Sequence, residues 1–339
     1  ITPEDWEEQK KILIGKEILT KKEADLFLGY GYAKGRNTIM YYALKKGIDY
    51  LLFWDDDEYP VACVKEDEDE EITWIKQDNI IDTINYTKKA DVALGHKCGY
   101  VSPIPYIELK EDINEELFKD YIEAVSNEAI SWEGIREQLV KYHGFKYISR
   151  CELEESKVHE IKFDGFGKWV LGSPLCLNFT HIEKIPSFYN PEGARGEDAF
   201  FSTWLEDSKV IQMPVYHFHD AFLKYTSILN EKYPKKLRKI KMEDEQTTER
   251  FIKASIGWIR YKPLFIYLTD RKHYNEKMDQ IREKLKISIP EVNKLFANSD
   301  LNILLPELEK FNNTVKKDYD EYIKTNEAWK KVKKAITEK

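Results

Sequence analysis

The sequence predicts an α/β protein, with a mixed Rossmann-like sheet flanked by helices and a helical C-terminal region. Three observations predict it. A short apolar, aromatic run, Tyr50-Leu51-Leu52-Phe53, is bounded like a buried strand and ends in Asp55-Asp56-Asp57-Glu58. A second apolar strand, Asp91 to His96, follows a helical stretch that starts at Asp78-Asn79. From about Lys232 onward, proline and glycine thin out and apolar residues recur at intervals of three and four, as at Leu308, Phe311, Val315, Tyr319 and Tyr322. Residues 1–230 are therefore expected to form the α/β domain, and residues 231–339 the helical region.

The elements follow in order. Thr2-Pro3-Glu4-Asp5 has the cap, first-turn proline and acids of a helix start, and that helix should reach about Leu13. Ile12 to Leu19 is read as containing a strand. Lys21 to Leu28 reads as a helix that Gly29 and Gly31 end, and Tyr32 to Lys46 as a helix packed on the sheet. Val61 to Val64 and Ile72 to Ile75 flank the acidic run Glu66 to Glu71 as a hairpin with a solvated tip. Pro103 and Pro105 punctuate a loop. Residues 111–142 read as a helical insertion, with Phe118, Tyr121 and Ile122 on one side, that covers a site or shapes a cleft. Phe145 to Ile148, Val158 to Phe163 and Leu175 to Phe179 read as strands.

Composition narrows the class. The chain has 339 residues, 42% hydrophobic and 34% charged, which suits a globular protein. A net charge of −8 argues against a nucleic-acid binder. Cys63, Cys98, Cys151 and Cys176 are irregularly spaced and form neither a zinc pattern nor a disulfide framework, so a cytoplasmic location is expected. No stretch has the length of a membrane span. The basic run Lys235 to Lys241 reads as a solvated helix face, or as a peripheral contact with an anionic membrane surface at its inner face.

Several segments carry chemistry. Three aspartates at the carboxyl edge of a sheet suit a divalent cation with oxygen ligands, or else a solvated acidic turn. His217 and His219, at i and i+2 in an alternating stretch, share one strand face, and imidazole is a common metal ligand. Mixed carboxylate and imidazole ligands favour manganese over magnesium. His96 and Lys97 follow a strand at the same edge, where Lys97 would meet phosphate or solvent. Gly172 and Ser173 would let a ligand approach the backbone. Trp169 would stack on a ring of such a ligand or fill the core. Gly196-Glu197-Asp198 is either a plain helix start or a pair of site acids.

Arg36-Asn37, the helical run after it, Gly47, the apolar strand, Asp55-Asp56-Asp57 and, about 140 residues later, Glu197-Asp198 together resemble the GT-A glycosyltransferases, above all glycosyltransferase family 2. The resemblance spans roughly residues 30–100 and 165–220. It implies a GT-A-like fold and metal-dependent, inverting transfer from a nucleoside-diphosphate sugar to an acceptor hydroxyl. It implies that Asp55 and Asp57 hold the ribose and the metal-bound diphosphate, that Asp198 is the general base and that Glu197 orients the acceptor. Arg36, Asn37, Asp56, Lys97 and Gly172 would stand on the donor side, and His219, ahead of His217, would add a metal ligand. The first nucleotide-binding strand of such a domain is not recognised here, so no base-binding residue is assigned. The acceptor, whether glycan, lipid-linked or protein, is not named by the sequence. Two alternatives are a sugar nucleotidyltransferase, whose basic glycine-rich loop is not found, and a non-catalytic module that binds a glycan or a partner.

Overall fold

The computed structural model describes residues 1–66, 71–100, 104–106, 114–126, 132–239, 245–296 and 300–338. Most of the expected acidic hairpin tip, Pro103, part of the 111–142 insertion and the end of the basic run at 240–241 lie outside the described residues.

Three helices lead the chain: α1 (Pro3–Gly15), α2 (Lys21–Phe27) and α3 (Tyr32–Lys45). The first two begin with capping boxes, Thr2 with Asp5 and Thr20 with Glu23, in which the hydroxyl accepts a backbone N–H and the acid answers the cap's own N–H. The strand expected within Ile12 to Leu19 does not form. The capped helix carries through to Gly15 because Gln9 and Leu13 bury one helical face, and a short turn then delivers Leu19 to the core.

Four strands follow, β1 (Tyr50–Phe53), β2 (Glu58–Tyr59), β3 (Val61–Val64) and β4 (Thr73–Lys76), then α4 (Asn79–Thr87) and β5 (Val92–Tyr100). Next come α5 (Glu115–Val125), α6 (Trp132–Val140), β6 (Phe145–Lys146), α7 (Arg150–Glu155), β7 (His159–Glu160) and β8 (Leu175–Asn178). The chain continues through α8 (Glu197–Ser202) and β9 (Val210–His219) into the long helices α9 (Glu245–Thr269), α10 (Tyr274–Leu295) and α11 (Leu304–Thr337). Only His159–Glu160 of the expected 158–163 strand pairs with the sheet.

The main sheet is mixed and ordered β1-β8-β5-β9-β2, with β6 on β5 and β7 on β9. β8 is antiparallel to both β1 and β5, and β5 is parallel to β9, so β1, β5 and β9 run the same way. Their carboxyl ends therefore meet at one edge, where an open α/β sheet presents ligand-binding residues. The β3–β4 hairpin forms a separate two-stranded sheet.

The C-terminal helices are integral to this body. Trp329 and Val332 of α11 share a core with Phe27, Met40, Leu177 and Phe188, and the Trp329 indole donates to the Ile185 carbonyl at 2.9 Å. Phe118, Tyr121 and Ile122 of α5 pack with Phe251 of α9 and Met278 and Leu285 of α10. The described part of the 111–142 insertion thus joins the helical core, because its buried face matches apolar stripes on α9 and α10. The described part of the basic run, residues 235–239, is irregular rather than helical. Its backbone is tied down instead: Arg238 N–H donates to the Tyr225 hydroxyl, and the Arg238 carbonyl accepts from Tyr100. Among the described residues, no helix is long and apolar enough to cross a membrane.

Candidate active site at the carboxyl edge of the sheet

The acidic run leaves β1 as a tight turn. Glu58 N–H donates to the Asp55 carbonyl at 3.3 Å, and the Trp54 indole donates to the Glu58 carbonyl at 3.0 Å. β2 then pairs Glu58 with His219 in register. The turn is thereby clamped onto the end of β9, and Asp220 N–H reaches back to the Asp57 carbonyl at 2.7 Å.

The acids of this turn have distinct surroundings. Asp55 is more open than Asp57. Arg36 Nη2 lies 4.0 Å and Lys97 Nζ 3.9 Å from its carboxylate, and its N–H donates to Ser173 Oγ. Asp56 is exposed. Asp57 Oδ2 faces His219 Nε2 at 3.6 Å and Arg250 Nη2 at 3.1 Å. Burial alone would raise the Asp57 carboxyl, but the hydrogen bond and charge of His219, then of Arg250, outweigh it and hold it at about 2.

His219 is oriented by a second contact. Its Nδ1 lies 2.9 Å from the Tyr100 carbonyl, which can only accept, so Nδ1 carries a proton. In the neutral ring, Nε2 then points a lone pair at the Asp57 carboxylate. Two acceptors so placed repel unless positive charge offsets them; Arg250, on the same Asp57 oxygen, supplies such a charge, and a cation between the two would supply another. Backbone-oriented imidazole opposite a carboxylate is a common half of a metal site.

His217 sits elsewhere. Its ring is buried beside Glu58, with Nδ1 3.5 Å from Oε2, and Trp54 covers it at 4.4 Å between ring centres. Glu58 is also fully buried, and takes Lys97 Nζ at 2.5 Å and the Ser173 hydroxyl at 2.7 Å. Burial would raise its carboxyl too, but His217 and Lys97 bring it down to about 2. Ser173 thus links the buried Glu58 to the backbone of Asp55.

The second acidic segment joins the first through Arg36. From α3 its guanidinium reaches Glu197 at 3.3 Å and the Gly172 carbonyl at 2.8 Å, and its plane lies over Phe53 at 4.7 Å. Gly172 N–H donates to Asp198 Oδ2 at 3.1 Å. A Cβ on Gly172 would stand 2.8 Å from Arg36 Nη2, so a larger residue would push the guanidinium aside. Burial, reinforced by the neighbouring Asp198 charge, pushes the Glu197 carboxyl up to about 7.

Arg36, Asp55, Lys97, Gly172, Glu197 and Asp198 therefore belong to one connected cluster with Glu58 and Ser173, while Asp57 and His219 form a second group with Arg250, joined to the first through the backbone of the β2 turn. Asn37 faces neither. Its amide is buried and exchanges two hydrogen bonds with the Phe188 backbone, at 2.9 and 2.8 Å. Trp169 is half-buried, donating to Asp164 and packing against Phe265.

Sequence reasoning assigned no role to Glu58 and missed Arg250. Glu58 continues the acidic run and could have been singled out by position, whereas Arg250 lies in a helix without any local motif. Among the described residues, no group of three or more histidine, cysteine, aspartate or glutamate side chains is gathered closely enough to hold a metal ion by itself. Asp57 and His219 form two ligands of such a site at most, leaving further positions to a substrate and water. A cleft of about 780 Å³ opens between α2, the start of α3, residues 188–194 and α11, with Tyr30 and Tyr32 presenting exposed rings. The chain matches no protein-family profile, and no curated protein and no solved structure was found to be similar to it.

Proposed function

We propose that the chain is a GT-A-like, metal-dependent glycosyltransferase that moves a sugar from a nucleoside-diphosphate sugar to an acceptor hydroxyl, with inversion. The single observation that carries this reading is the meeting of the two acidic motifs at Arg36, which touches Glu197 across 161 residues of chain and stands beside Asp55.

The chemistry fits the residues. Asp57 and His219, with Asp55 nearby, offer carboxylate and imidazole donors suited to manganese more than magnesium. A divalent cation there would offset the charge that develops on the departing diphosphate. Lys97 and Arg36 add positive charge beside Asp55. Asp198 lies across Gly172 from Arg36 and is the proposed base. In the step itself, the acceptor oxygen forms a bond to the anomeric carbon as its O–H bond breaks, and the proton passes to the Asp198 carboxylate. The bond from the anomeric carbon to the phosphate oxygen breaks, and the diphosphate leaves with the electron pair. Glu197 holds Arg36 and orients the acceptor. Tyr30 and Tyr32 in the neighbouring cleft offer faces on which an acceptor sugar can stack.

Calorimetry against a panel of nucleotide-sugars, with and without manganese, tests donor binding. Asp198→Asn should abolish transfer while donor affinity stays within about twofold of wild type, since the amide keeps the shape but cannot take the proton. Wild-type turnover in this variant would remove Asp198 as base. Failure of every nucleotide-sugar to bind would remove the whole reading.

A further inference from the structure

Among the described residues, the helical C-terminal region contributes one charged side chain to the acidic turn. Arg250 lies in the first turns of α9 and its Nη2 meets Asp57 Oδ2 at 3.1 Å. That is the same oxygen His219 faces. The guanidinium also lies over the Phe222 ring, 5.7 Å from its centre, so it is held from two sides. It is 38% exposed, against 14% for Asp57.

Among the described residues, this geometry commits Arg250 to one hydrogen bond, to Asp57. A guanidinium has five N–H donors in a rigid plane, and one direction is used by Asp57. The remaining edge suits the paired oxygens of a phosphate group, which guanidinium recognises bidentately. A simple surface ion pair would need neither the ring beneath it nor a strand-clamped carboxylate as partner.

We propose that Arg250 is a diphosphate-binding residue: with the protein empty it rests on Asp57, and when a cation takes that carboxylate the guanidinium turns to the phosphate oxygens of the donor. The helical region is then part of the donor site. This rests on the glycosyltransferase reading, and it makes two opposite demands on one side chain. Arg250 competes with the cation for Asp57, yet supports the diphosphate once the cation is present.

Those demands can be measured without knowing the sugar or the base. Manganese alone is titrated by electron paramagnetic resonance, and inorganic pyrophosphate with saturating manganese by calorimetry, on wild type, Arg250→Gln and Arg250→Lys. Arg250→Gln should bind manganese alone at least as tightly as wild type, and pyrophosphate with manganese about tenfold or more weakly. Arg250→Lys, which keeps the charge without the fork, should fall between. Thermal melting confirms folding, and Arg250→Lys carries the test if the glutamine variant does not fold. Unchanged pyrophosphate affinity in the substituted proteins would overturn the proposal, as would an equal loss of manganese and pyrophosphate, which marks Arg250 as mere support for Asp57. In both cases wild type still binds manganese and the glycosyltransferase reading stands. Wild type that binds neither ligand overturns both.

Discussion

Arg36 and Glu197 face each other at 3.3 Å, the guanidinium of one helix against the first-turn carboxylate of another. The contact is sheltered: the two side chains are 14% and 11% exposed. Arg36 is the ion-pair partner of the Glu197 carboxylate and lies close to Asp55, so one side chain ties the two acidic segments together. Its ring contacts with Phe53 and Phe188 fix the plane of the fork.

Lysine cannot replace that fork. Arg36→Lys keeps the charge but loses the planar donors that reach Gly172 and Glu197 together. Turnover should fall about a hundredfold through misplacement of Asp55 relative to Asp198, with little change in donor affinity. Rates of nucleoside-diphosphate release, measured at saturating donor, check this. A variant with wild-type kcat would mean that the Arg36 bridge is structural only.

The buried Glu58 pair predicts an acid limb. Its folded carboxyl sits at about 2, below the usual 4.5, as does that of Asp57 relative to 3.8. A depressed carboxyl contributes stability that is present above its unfolded pKa and lost as pH falls through the folded one, here between about 4.5 and 2. Glu58→Gln should flatten this limb. It also leaves Lys97, 26% exposed, with only the longer 3.9 Å contact to Asp55, at a cost of about 2 kcal/mol at neutral pH once access to water is allowed for. Urea unfolding from pH 2 to pH 7 gives both numbers. An unchanged slope in the variant would show that Glu58 does not drive it.

Parts of this arrangement were legible in the sequence for local reasons. The helix starts at Thr2 and Thr20 are written in cap chemistry, and the buried positions of α11 in its intervals of three and four. β1 and β5 could be read because short apolar runs bounded by polar turns have few other uses. Other features depend on contacts between distant residues. Asn37 is adjacent to Arg36 in sequence, yet one helical step turns it toward Phe188 and the core. His217 and His219 share a strand face, but the β2 turn gives one to Glu58 and the other to Asp57. Nothing near Arg250 announces its partner, since the pairing with Asp57 spans a sequence separation of 193. Ile12 to Leu19 looked strand-like because its apolar content fits either period, and the upstream cap decided for helix.

Glu197 predicts the opposite pH dependence at neutral pH. Burial and the Asp198 charge raise its carboxyl from 4.5 to about 7, so the folded chain holds a proton that the unfolded chain has lost. Between those two values the folded state binds more protons than the unfolded state. Stability therefore falls as pH rises from about 4.5 through about 7, and levels off above that. Glu197→Gln mimics the protonated form and cannot ionise, so it should remove this decline and melt higher than wild type at pH 8. Its turnover should lose the inflection near neutrality, because the Arg36 contact no longer strengthens as the carboxylate forms. Melting curves at pH 5, 6, 7 and 8 for both proteins provide the check. A variant that declines in parallel with wild type would mean that another group carries the proton, and that Glu197 is ionised beside Arg36 throughout.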